Sequence, residues 1–161
     1  MKLGFAAFVT DRGLGICDLA RQVEAAGLES LFLVQNTHVP VSGAALLDEE
    51  DHEADHHFLD PFAALGAAAA VTTRIKLGTG ICTALIYDPV ILAMQVSTID
   101  QLSAGRFLFG IGVGHEDTAH NHGISPQLRH RVLREKVRAM KAIWAGKMRS
   151  SMASSLTSPR S

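Results

Sequence analysis

The chain has 161 residues, 47% hydrophobic and 19% charged, which suits one domain with its own core. Lys and Arg number 15 against 16 Asp and Glu, a formal charge of -1, so nothing in the charge calls for nucleic acid or an anionic membrane as partner. Cys17 and Cys82 are the only cysteines and two do not make a disulfide framework, so a reducing, cytoplasmic setting is the expectation. The apolar stretch 3–9 is too short for a secretory h-region, and the Ala-rich run 61–71 is too short to span a bilayer.

Residues 2–9 (KLGFAAFV) read as a short buried strand. Residues 14–27 place Ile16, Leu19, Ala20, Val23 and Ala26 at helical spacing, and Gly27 is a natural stop. Residues 30–35 (SLFLVQ) form a second strand, so the three pieces make a βαβ pattern. Residues 36–57 have no periodicity and carry an acidic tract, which reads as a long surface loop. Asp60-Pro61 opens a helix to about Val71, with Asp as N-cap and Pro at the first helical position. Residues 74–81 (RIKLGTGI) form a third strand. Asp88-Pro89 repeats the opening device for a helix to about Leu102. Residues 105–111 (GRFLFGI) form a fourth strand. After a loop rich in Gly and His, a last helix covers about 130–144, with Leu133, Val137, Met140 and Trp144 on one face. Four strands alternating with four helices imply a parallel sheet with right-handed crossovers. Periodicity does not separate an open doubly wound sheet from a barrel, but the first strand lacks a following GxGxxG, which weighs against a dinucleotide-binding sheet.

Three segments resemble the luciferase-like monooxygenase superfamily: 31–40 (LFLVQNTHVP), 60–81 (DPFAALGAAAAVTTRIKLGTGI) and 88–114 (DPVILAMQVSTIDQLSAGRFLFGIGVG). The helix text LREKVRAMKAIW fits the same family, and the likeness runs from about residue 1 to 144. The resemblance implies an α/β fold, the first four βα units of a TIM (β/α)8 barrel, with the chain truncated relative to the whole. It implies an oxidoreductase that binds coenzyme F420, or alternatively FMN, at the C-terminal mouth of the barrel and acts on a small-molecule substrate. The wording of 36–40 (NTHVP) and 78–81 (GTGI) is most similar to the F420-dependent branch. A homodimer is a further option under this reading, with neither nucleic acid nor membrane as partner.

In such barrels chemistry sits at the C-terminal ends of the strands. The resemblance implies that Thr79, Gly80 and Ile81 support the cofactor ring, with a non-proline cis peptide at Gly80-Ile81; an ordinary tight turn is the plainer alternative. It implies that His38 stands near the reactive face, where an imidazole can exchange a proton near neutral pH; a loop histidine bonded to backbone is the alternative. Gly112, Gly114 and His115 would approach the ring edge, although His115 stands where some relatives carry Glu or Trp. Two His-rich groups, His115, His120 and His122 with Glu116 and Asp117, and His52, His56 and His57, lack a recognised metal spacing, so no metal site is expected. Cys82 reads as a small core residue rather than a nucleophile.

The domain is expected to cover 1–146, followed by a Ser-rich tail at 147–161. Relatives of this family tend to continue with text such as EFHGEFVDF. Plausible codons for that text, read one nucleotide later, spell SSMASSLTS, the sequence of residues 150–158. The tail therefore reads as out-of-frame translation, with a natural Ser-rich disordered tail as the alternative. Half a parallel barrel would leave its first and fourth strands as open edges, bind cofactor weakly and tend to self-associate.

Overall fold

In the computed structural model, which describes residues 1–11, 13–35, 37 and 58–146, strands and helices alternate. The order is β1 (Gly4–Ala7), α1 (Ile16–Ala25), β2 (Ser30–Leu33), α2 (Pro61–Val71), β3 (Lys76–Thr83), α3 (Pro89–Leu102), β4 (Phe107–Gly112), α4 (Glu116–Asn121) and α5 (Arg129–Trp144). Short 3-10 turns at Ala84–Ile86 and Pro126–Leu128 precede α3 and α5. The strands form one parallel sheet in the order β1-β2-β3-β4. Among the described residues no helix is long and apolar enough to cross a membrane.

Local chemistry opens the two central helices. Asp60 Oδ1 accepts the Ala63 N–H at 2.8 Å ahead of α2. Asp88 Oδ1 accepts the N–H groups of Val90 and Ile91 at 2.9 and 3.1 Å ahead of α3. A proline follows each aspartate, where a missing N–H costs nothing. Helix α2, rich in Ala and without a charged residue, is apolar all round and packs between α1 and α3.

The parallel register assigns the sheet's two faces. Leu31, Leu77 and Phe107 share one row and are buried beneath the helices. The next row, Ala6, Phe32, Gly78 and Leu108, points the other way. Here Ala6 is exposed, Phe32 half-buried and Leu108 43% exposed, since no described element covers this face. Gly78 sits in this row because a Cβ there would stand 2.5 Å from the Phe32 ring. The first strand was expected to be buried; it is instead largely exposed, with Phe5 42% accessible. As an edge strand it has a neighbour on one side only, and the described chain places nothing over it.

Two charged side chains tie the N-terminal end of the sheet. The Arg106 guanidinium, between α3 and β4, makes five hydrogen bonds. Nε donates to Ser103 O, Nη1 to Thr72 Oγ1 and Ile75 O, and Nη2 to Ala69 O and Thr72 O, at 2.8–3.2 Å. The Glu24 carboxylate, at the C-terminal end of α1, accepts the N–H groups of Thr73 and Arg74 at 3.0 and 2.7 Å. Burial pushes the Glu24 pKa up, but those N–H groups and the Arg74 charge outweigh it, and the net shift is downward.

This shift gives a signed prediction. Glu24→Gln is expected to cost about 1–2 kcal/mol at neutral pH, because hydrogen bonds to a charged acceptor are stronger. With the folded pKa below the unfolded value of about 4.3, the contribution is complete above that value. It is lost as pH falls through the folded pKa. Urea unfolding of both proteins at about pH 7 and pH 3 checks this. The stability gap should narrow at low pH; a gap independent of pH would remove the carboxylate charge as its source.

Candidate active site at the strand ends

The C-terminal ends of β2, β3 and β4 converge on one depression of about 370 Å3. It is lined by Val34, Gln35, Gly80, Ile81, Thr83, Gly112, Val113, Gly114 and His115. That volume falls within the range of about 300–1,000 Å3 usual for small-molecule sites. A larger apolar groove of about 430 Å3 lies between α3, β4 and α5, lined by Val96, Phe107, Phe109, Met140 and Trp144. It is on the helix-covered side of the sheet, away from the strand ends, and is a weaker candidate for chemistry.

Each wall has a local cause. The β3–β4 register shifts between Thr79 and Cys82, and within that irregularity the Gly80-Ile81 peptide is cis, as the family likeness implies. Ile81 is 39% exposed and presents an apolar surface at the mouth. The glycines have partners inside the chain. A Cβ at Gly112 would stand 2.8 Å from Ile81 Cδ1, and one at Gly114 would stand 2.7 Å from Thr83 Cγ2. Gly114 also holds φ +66°, a conformation that glycine adopts without steric cost. These absent side chains let the β3 and β4 exits pack closely enough to form a continuous floor.

Of the residues singled out in the sequence, Gly80, Ile81, Gly112, Gly114 and His115 meet here. Thr79 lies behind the floor. It is 1% exposed, and its hydroxyl donates to Gly110 O at 2.7 Å, so it ties β3 to β4. His115 is exposed at the N-cap of α4 and makes no capping bond through its side chain. His38 and Asn36 lie outside the described residues, as do His52, His56 and His57. Among the described residues no three His, Cys, Asp or Glu side chains come together as a metal site.

Cys82 is fully buried, and burial pushes its thiol up to about 12, so it is a core residue with a poorly available thiolate. No motif in the sequence singles out Gln35, yet it is 3% exposed. Residues 30–35 alternate half-buried and buried, and Gln35 falls in phase with Leu31 and Leu33. A polar residue in the buried phase of a strand is a signal for a specific partner. That partner is Thr83, whose N–H reaches Gln35 Oε1 at 2.9 Å, while Gln35 N donates to Ile81 O at 3.2 Å.

Comparison with known proteins agrees with this geometry. An uncharacterised protein of Mycobacterium tuberculosis is 37% identical over 153 residues, covering 89% of this chain and 53% of that protein. The F420-dependent glucose-6-phosphate dehydrogenase of Kineococcus radiotolerans is 31% identical, covering 90% of this chain and 41% of that protein. The crystal structure of the monooxygenase RslO1 from Streptomyces bottropensis superposes with a TM-score of 0.71 at 26% identity, covering 90% of this chain and 43% of that one. The chain thus spans about half the length of the curated relatives it matches, and its four βα units are those of the luciferase-like (β/α)8 barrel. The family model for luciferase-like monooxygenases matches residues 14–155, and the chain belongs to that family.

Proposed function

We propose that this chain carries one half of the cofactor mouth of an F420-dependent oxidoreductase that transfers hydride to or from a small organic substrate. The observation that carries the reading is the convergence of three strand ends on one depression with an apolar floor and few polar groups. The floor suits the face of a planar tricyclic ring: Ile81, Val34 and Val113 supply apolar contact, and Gln35 and His115 supply polar edges. The likeness to F420-dependent glucose-6-phosphate dehydrogenase supports the deazaflavin as that ring.

When bound, the cofactor supplies the hydride chemistry. The chain's own part is to hold the ring against a fixed backbone surface and orient it toward substrate. His38 is, in this reading, the residue that exchanges a proton near the reacting carbon. An FMN-dependent monooxygenase is the second reading, favoured by the likeness to the Streptomyces bottropensis monooxygenase.

Fluorescence titration of the chain with F420 and with FMN tests the two. The expected result is saturable, weak binding with preference for F420, and His38→Asn retaining that affinity while any F420 reduction is lost. Preference for FMN would transfer the assignment to the monooxygenase reading. Binding of neither would remove the cofactor-mouth assignment from this chain.

A further inference from the structure

We propose that two copies of this chain pair head to tail, with β1 of each lying beside β4 of the other and Phe5 seated in the partner's apolar groove. The proposal is independent of the cofactor reading. It starts from the two edges of the sheet, which lack opposite things. Among the described residues, β1 and β4 each have a strand on one side only. At the β4 edge the groove of about 430 Å3 is lined on the strand by Phe107 and Phe109 and on the helices by Val96, Met140 and Trp144. Helix cover is present there, and apolar side chains to fill it are missing.

The β1 edge is the complement. Phe5 shares a side-chain row with Leu31, Leu77 and Phe107. Those three are at most 9% exposed, whereas Phe5 is 42% exposed. Leu3, two positions earlier and so on the same side of the strand, is 54% exposed. Here the apolar side chains are present and the cover is missing.

All four strands are parallel, so β1 of a second copy can run alongside β4 in the same direction. Kept in phase with the sheet, its Phe5 turns to the helix side and enters the groove. The charges permit this: Asp100 and Lys141 at the groove are of opposite sign, and β1 carries no charge. In a two-fold pair both junctions form together, and four strands from each copy make a closed eight-stranded barrel. Closure removes both open edges and encloses the inner row that holds Phe32 and Leu108.

Trp144 is the only tryptophan of the chain, lines the groove and is 44% exposed, so its emission reports the junction. Sedimentation and tryptophan emission of the whole chain are followed against concentration. The expected result is a monomer–dimer equilibrium at micromolar chain, with emission moving to shorter wavelength as the dimer forms. Phe5→Lys and Trp144→Glu are each expected to weaken the dimer by at least about a hundredfold, since each buries an unpaired charge at both junctions. Mixing the two variants should restore dimers. One junction of the mixed pair is then native, and the introduced lysine and glutamate meet in the other.

Circular dichroism establishes that each variant is folded. If one is not, the agreement between mass and emission in the parent decides. A chain that stays monomeric overturns the proposal. So does a dimer whose emission does not shift or which survives either substitution, because the copies then meet elsewhere, such as on the exposed Val90, Ile91 and Met94 of α3. Assemblies that grow beyond two copies show that the junctions do not close, and failure of the folded variants to restore dimers on mixing rules out the head-to-tail contact; either result overturns the pair.

Discussion

Arg106→Ala is expected to destabilise the chain by about 3–5 kcal/mol, a fall in unfolding midpoint on the order of 10 °C. The reason is concentration of function in one side chain. Its five hydrogen bonds reach the end of α2 (Ala69 and Thr72), the entry to β3 (Ile75) and the end of α3 (Ser103). Each carbonyl belongs to a helix end or a strand entry, where the backbone lacks a regular partner. Alanine leaves these acceptors to whatever water reaches them and unties three segments at once. Arg106→Lys should recover less than half of the loss, because an ammonium is a point donor and cannot span the same fan of acceptors. Thermal and urea unfolding of the three proteins decide the matter. A loss below about 1 kcal/mol in the alanine variant would show that solvent replaces the network.

Gly110→Ala is expected to cost about 3 kcal/mol and to disturb the mouth. A Cβ at Gly110 would lie 2.2 Å from the carbonyl oxygen of Thr79, which is backbone and cannot rotate away. Gly110 O in turn accepts the Thr79 hydroxyl at 2.7 Å, so the clash falls on the contact that joins β3 to β4. The strands must part next to Gly80 and Ile81, which form the floor of the depression. Gly66→Ala is the control with opposite sign. Gly66 is within α2, and an added Cβ there meets Ile99 Cδ1 at an ordinary 3.5 Å. Alanine at this helical site should stabilise by about 0.5–1 kcal/mol. Unfolding midpoints of the pair check the contrast. If both variants shift in the same direction, steric closeness to Thr79 is not what requires glycine at position 110.

Much of the fold is legible because its causes are local. The pairs Asp60-Pro61 and Asp88-Pro89 carry both the N-cap acceptor and the preset first residue, and α2 and α3 begin at those prolines. Gly27, with φ +72°, ends the first helical segment as its composition suggests. The family text at 78–81 and 110–114 marks the strand ends that meet at the depression. The short helix α4 was not legible. Its six residues, EDTAHN, have no apolar period, and its footing is the Glu116–Arg129 ion pair at 2.7 Å, 13 positions further along the chain. The extension of β3 to Thr83, two residues beyond the expected end, follows from the irregular pairing with β4, which resumes at Cys82 and Ile111.

The sequence by itself determined the alternation of strand and helix, the parallel sheet it implies, the barrel family and the strand ends where chemistry belongs. These follow from capping, periodicity and motif text carried within short stretches of chain. Only the tertiary structure decided what Gln35, Arg106, Glu24 and Thr79 do. Apart from Ser103 beside Arg106, their partners lie 31–50 positions away, and each role is set by which carbonyl or N–H the folded sheet brings to hydrogen-bond distance. It likewise decided that β1 is exposed rather than buried, because burial depends on what covers a strand and not on its own apolar residues.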